Sequence, residues 1–164
     1  MSSAKVAIAA LLLVPSLSLA QNWKATMQTD PMTDKNYPAF AIQGNGVEEA
    51  FTATIGPFCN GGKFMKAGLT VDGMTFHQDS YAALRNPPFV TYAKVRAGTK
   101  VESKAFLISQ GMSVAEISSQ ELEKIVKAGT VTIQFSDAFS KTHYVRFEGM
   151  SLISEMASAC GMSQ

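Results

Sequence analysis

Residues 51–71 read FTATIGPFCNGGKFMKAGLTV, and the reading of this stretch decides the fold class. Phe51, Ala53 and Ile55 alternate with Thr52 and Thr54, the two-residue period of a strand with one buried face. Cys59 lies just beyond, and Asn60-Gly61-Gly62 supplies residues that tolerate the backbone of a tight turn. Lys63–Val71 is extended again, so the segment predicts a β-hairpin.

The same logic extends in both directions. Upstream, Lys24–Gln28 follows Trp23 as a strand, and residues 30–36 are turn chemistry rich in Asp, Pro and Asn. Tyr37–Gln43 resumes an extended course and ends at Gly44-Asn45-Gly46. Downstream, residues 74–88 lack a period and close on Asn86-Pro87-Pro88, which predicts a long surface loop. Phe89, Thr91, Ala93 and Val95 alternate with Val90, Tyr92, Lys94 and Arg96, and Gly98 turns that strand towards Lys100–Ser109.

Ser113–Ala128 is the strongest helical segment, with Ile117, Leu122, Ile125 and Val126 able to share a face. Ser118 or Ser119 can cap its regular part, and Gly129 suits the position just past its end. Thr130–Ser136 places Val131, Ile133 and Phe135 on one side, His143–Glu148 makes a last strand, and residues 150–159 form a short amphipathic helix. Six strands, a helix, two strands and a helix predict a β-dominated α+β fold. The expected architecture is an antiparallel sheet or small sandwich with one central helix and a short C-terminal helix, in a single globular domain over residues 21–164.

The first twenty residues carry a different message. Lys5, the apolar run Val6–Val14 and the small residues Ser18 and Ala20 form the three parts of an export signal, with cleavage expected before Gln21. The run is too short to span a bilayer, and no second hydrophobic segment follows, so no membrane span is expected in the mature chain. The chain holds 14 Lys and Arg against 13 Asp and Glu, and losing Lys5 with the leader leaves 13 of each. That balance lacks the electrostatic footprint of a nucleic-acid binder. A periplasmic or secreted location is the expectation.

Such a compartment is oxidising, so Cys59 and Cys160 are expected to form one disulfide. In the chain-entropy view a bridge over so long a loop stabilises by about 4–5 kcal/mol. A catalytic thiol pair would sit as C-x-x-C, and these two do not.

The order of landmarks resembles small exported bacterial proteins of the type VI secretion-associated VasI family. The matching features begin with Trp23 followed by Asp30-Pro31-Met32-Thr33-Asp34 and the strand ending at Cys59. They continue through residues 92–98 and 122–136 to the ending Val145-Arg146-Phe147-Glu148-Gly149 with Ala159-Cys160-Gly161. The resemblance implies a periplasmic accessory or binding role and brings no catalytic residues with it.

Signatures of chemistry are sparse. His77, flanked by Asp72 and Asp79, does not match a known zinc spacing, and a solvated loop side chain explains it more simply. His143 opens a strand and is expected to face solvent or a backbone partner. Asp30 and Asp34 offer too few oxygens for calcium and read as turn caps. No G-x-S-x-G or phosphate-binding glycine loop occurs, so no catalytic residue, metal or cofactor is assigned. Met74, Phe76, Tyr81, Leu84, Arg85 and Phe89, in or beside the unperiodic loop, are the candidate partner-binding residues, the plainer reading being that several plug the edge of the core. The expected function is non-enzymatic: an exported accessory protein that binds another envelope protein. The alternative is an inhibitor or immunity protein acting on a periplasmic toxin or cell-wall hydrolase.

Overall fold

The structure, a computed structural model, describes residues 23–29, 32, 34, 36–60, 62–78, 89–109 and 113–162. The expected export signal, with cleavage before Gln21, lies outside the described residues. Nine strands are found among them: β1 (Lys24–Thr29), β2 (Asn36–Gly46), β3 (Thr52–Asn60), β4 (Lys63–Val71), β5 (Phe89–Ala97), β6 (Lys100–Ser109), β7 (Val114–Ile117), β8 (Thr130–Ser136) and β9 (Thr142–Glu148). The helices are α1 (Ser119–Ala128), between β7 and β8, and α2 (Ser154–Cys160), after β9.

The β-dominated, antiparallel character expected from the period-2 segments is what the chain adopts. Its form differs. The strands run in the order β2-β3-β4-β7-β6-β5-β8-β9, and β9 pairs back onto β2 through Asn45↔Arg146 and Gly46↔Val145, closing an eight-stranded antiparallel barrel rather than an open sheet or sandwich. Closure removes the free edges that an open sheet would leave to be covered. It happens where β2 is glycine-rich. A Cβ on Gly44 would stand 2.7 Å from the Phe147 ring and 2.8 Å from the Arg146 carbonyl oxygen, so only the bare backbone lets β9 approach.

A second correction concerns the segment before the helix. Val114–Ile117 is strand β7, inserted between β4 and β6, and the helix proper starts at Ser119. Ala115 and Ile117 point inward and Val114 and Glu116 do not, so the stretch has a strand's alternation that four residues are too few to advertise. From there the helix follows expectation. The Ser118 hydroxyl accepts the N–H of Glu121 at 3.3 Å, and Gly129, at φ 70°, sends its N–H to the Val126 carbonyl. Leu122, Ile125 and Val126 are its buried face, set against β4, β5 and β8.

Inward positions on the barrel strands are mainly apolar: Ile42, Ala53 and Ile55, Ala67 and Leu69, Ala93 and Val95, Phe106 and Ile108, Ala115 and Ile117, Val131 and Ile133, Val145 and Phe147, with Thr91 and His143 the buried polar side chains among the described residues. An eight-stranded barrel has room for little more than these side chains. Each large one removed from water stabilises the fold by about 1.5–3 kcal/mol. Outward positions are mainly polar, the reverse of a membrane-spanning barrel, which shows its apolar side to lipid. No helix among the described residues is long and apolar enough to cross a membrane.

The hairpin of residues 51–71 is present as expected. Asn60 pairs with Lys63 across a two-residue turn in which Gly62 takes φ 73°. At its tip Cys59 and Cys160 stand at disulfide distance, Cα to Cα 5.1 Å, tying α2 to β3. Beyond the barrel, the first half of β2 pairs with β1 as a two-stranded ribbon. Trp23, just before β1, anchors that ribbon: its ring is buried and its Nε1–H donates to the Met150 carbonyl at 3.1 Å.

Candidate functional site

Among the described residues the inward side chains of the barrel form a buried core, which leaves a mouth and the outer wall to be considered. Both places hold grouped functional side chains.

One mouth is closed by the turn after β2 (residues 47–50), the turn after β8 (residues 137–141) and the segment around Phe76. His143, the first inward residue of β9, is buried there. Its Nε2 lies 2.9 Å from Asp137 Oδ2 and its Nδ1 lies 3.1 Å from Glu49 Oε2. Both ring nitrogens thus lie within hydrogen-bond distance of a carboxylate oxygen. Lys141 also pairs with Glu49. The hydrogen bond from His143 holds the Asp137 carboxyl below the usual carboxylate range, and the one from Lys141 does the same for Glu49. Around this group Phe51 and Phe76 each pack edge-on to Phe135, while the His143 ring stacks on Phe135 at 5.5 Å. A general base must direct a free nitrogen at its substrate. Both nitrogens of His143 are engaged, so the arrangement holds the β8–β9 turn and the barrel rim together.

The outer wall of β6, β5, β8 and β9 is different. Pairing sets Arg96 opposite Thr132 and Thr132 opposite Arg146, and in the next row Lys94 opposite Gln134 and Gln134 opposite Tyr144. With Val47 and Glu48 on the β9 flank and Val101 on the β6 flank, these residues line a shallow cleft of about 290 Å³. Farther along the wall the rows become apolar. Tyr92 faces Ala105 and Val90 faces Leu107 across the β5–β6 pair. Tyr92 is 61% exposed, Val101 50% and Leu107 43%.

No family model, characterised protein or solved structure matches this chain. The reading of function therefore rests on the residues themselves.

The residues singled out in the sequence fare unevenly. Cys59 and Cys160 meet. Phe76 is buried in the mouth, bridged through its backbone to Asp137, and so presents no side chain to a partner. Met74 is half-buried against the core, and Phe89 is partly exposed at the start of β5. Tyr81, Leu84, Arg85 and Asp79 lie outside the described residues, as does Asp30. Asp34 is exposed, with φ 54°, a value that suits a turn. His77 is half-buried with Nδ1 3.4 Å from the Ser140 hydroxyl. His143, expected at the surface or on a backbone partner, is instead buried between two carboxylates, because the alternation of β9 turns Thr142 outward and His143 into the barrel. The outer-wall residues Tyr92, Lys94, Arg96 and Arg146 were legible only as the polar side of strands. Nothing in the linear sequence places β9 next to β8 and β5.

Proposed function

We propose that the mature chain is an exported, non-enzymatic accessory protein that binds another protein of the cell envelope through the outer wall of β6, β5, β8 and β9. The observation that carries this reading is the composition of that wall. Tyr92 and Leu107 stand exposed in adjacent cross-strand rows, and the Lys94 row separates them from the row that holds Arg96 and Arg146 on the same wall. Tyr and Arg are the residues that most often supply binding energy at protein interfaces, and a rigid barrel presents them already ordered. The cysteine pair at disulfide distance fits an oxidising compartment, and the resemblance to the VasI family points to the same accessory role.

The test is cross-linking of the tagged mature protein in the envelope, followed by mass spectrometry. A single stoichiometric protein partner is expected, captured by the wild type and lost with Tyr92→Ala plus Leu107→Ala. Capture should persist with Thr54→Ala, on the outer side of β3. Turnover by the purified protein that vanishes on replacing His77 would sink the non-enzymatic reading.

A second reading, inhibition of an envelope hydrolase or toxin, is favoured by one feature. Phe139 is 92% exposed on the β8–β9 turn, and Asp137 holds that turn by accepting the N–H groups of Phe139 and Lys141, each at 2.9 Å. A rigid turn tipped with an aromatic ring can enter a cleft. Loss of inhibition in Phe139→Ala, against a hydrolase the wild type blocks, is the outcome this reading requires.

A further inference from the structure

Charge on the outer wall is distributed unevenly. Several lysines elsewhere on the barrel sit against carboxylates: Lys66 with Glu116, Lys100 and Lys104 with Glu102, Lys104 also with Glu121, Lys141 with Glu49. In the cleft, Lys94 and Arg96 have no ion-pair partner among the described residues. Arg146 pairs through Nε with Glu148 at 2.8 Å, which leaves its terminal N–H groups to other acceptors. Opposing these three cations is the single carboxylate of Glu48 on the lining. Thr132, Gln134 and Tyr144 add neutral hydrogen-bonding groups between them.

The spacing is that of an extended chain. Lys94 and Arg96, two residues apart on one strand, are separated by about 7 Å, and Arg96 and Arg146, two strands apart, by about 10 Å. An extended peptide lying on the wall repeats its same-side residues every 7 Å or so. Acidic residues at alternate positions would therefore meet Lys94 and Arg96 in turn, with Arg146 beside them. Arg suits this use because its planar fork takes a carboxylate through two parallel hydrogen bonds.

We propose that the cleft lined by Lys94, Arg96 and Arg146 docks an extended acidic segment of the protein partner, with carboxylates at alternate positions. This rests on the reading that the wall binds a protein, with Tyr92 and Leu107 as the apolar part of the same surface. Glu48, across the cleft, acts against it and limits its affinity.

The experiment is fluorescence anisotropy with a fluorescein-labelled peptide of alternating Glu and Ser, compared with its Gln counterpart, on the mature protein. Binding of the Glu peptide alone is expected, weakening as salt is raised. Arg96→Glu with Arg146→Glu should weaken it about tenfold or more, Arg96→Gln with Arg146→Gln less, and Glu48→Gln should strengthen it about two- to threefold. All these side chains face outward, and unchanged melting curves will confirm that the variants fold. Equal binding of the Gln peptide, or undiminished binding by the charge-reversed variant, overturns the proposal. Displacement by inorganic phosphate at the same concentration as by unlabelled peptide also overturns it, since the cleft would then be a free-anion site. In the cross-linking experiment, a partner lost with Tyr92→Ala plus Leu107→Ala but kept with both arginines reversed would leave the docking wall standing and remove the acidic segment. Arginine-dependent peptide binding with no captured partner would do the converse.

Discussion

Asp137 Oδ2 lies 2.9 Å from Nε2 of His143, while Oδ1 of the same carboxylate accepts the backbone N–H groups of Phe139 and Lys141. One side chain thus links the first inward residue of β9 to the turn that precedes it. Asp137→Ala should lower stability to urea by about 1–3 kcal/mol, because it removes at once the partner of His143 and the acceptor of two turn N–H groups. Asp137→Asn keeps an acceptor for the turn and should cost less. Equal, negligible losses in both would show that the turn holds its shape without the carboxylate.

Acid should weaken the fold, and the sign follows from the carboxylates. Asp137 is held low first by the His143 hydrogen bond, Glu49 first by Lys141, and Glu102 by Lys100 and then Lys104, down to about 2. Each titrates lower in the folded chain than in the unfolded one, so its contribution is complete above the unfolded value and is lost as pH falls through the folded one. For Glu102 that window runs from 4.5 down to about 2. Unfolding midpoints measured across this range should fall more gently in Glu102→Gln than in the wild type. Parallel curves would mean that the pairs with Lys100 and Lys104 do not persist in solution.

How far the fold was legible depends on the range of the interactions involved. The Ser118 cap, the Gly129 stop and the inward face of Val131, Ile133 and Phe135 are set by neighbours within a few positions, and each is found where the pattern puts it. Strand β7 was hidden because Val114–Ile117 adjoins a genuine helix and its alternation is too short to stand apart. Closure was hidden for another reason. It depends on Gly46 meeting Val145, 99 positions away, a pairing that no local period encodes. The site was less legible still: Arg96 and Arg146 become neighbours only once β8 is inserted between their strands. Of the large apolar residues in the 74–89 segment, Phe76 serves packing, whereas Tyr92, with a polar hydroxyl and a place in a regular strand, has the local pattern of ordinary outer surface.

Barrel closure itself can be tested at Gly46. A Cβ there would come within 2.7 Å of the Phe51 ring, in addition to crowding the backbone of the 47–50 turn. Gly46→Val should therefore displace the 47–51 segment, and with it the end of β2 that meets β9, and cost about 1–3 kcal/mol, as overpacking does. Amide hydrogen exchange would place the damage: protection should fall at Asn45, Gly46, Val145 and Arg146 while the β3–β4 hairpin keeps its own. Uniform loss would mean that the barrel unfolds as one unit and the seam has no separate stability.

Trp23 provides an independent view of the opposite side of the molecule. It is the only tryptophan, its ring is 5% exposed, and its N–H bonds to Met150, which follows β9 and in turn donates its backbone N–H to the Gly129 carbonyl beyond α1. The β1–β2 ribbon thus depends on one side chain set among groups from distant parts of the chain, and a two-stranded ribbon by itself is marginal in water. Trp23→Phe keeps most of the apolar contact and removes the donor, so it should cost about 1–2 kcal/mol, mainly by leaving the Met150 carbonyl without its partner. Trp23→Ala removes the packing as well and should cost about 3–5 kcal/mol. In the wild type, emission from this single indole should stay blue-shifted until the ribbon detaches. If the emission changes at lower urea than far-ultraviolet circular dichroism does, the ribbon opens before the barrel. If the two coincide, the bond from Trp23 to Met150 couples the ribbon to the barrel as one cooperative unit.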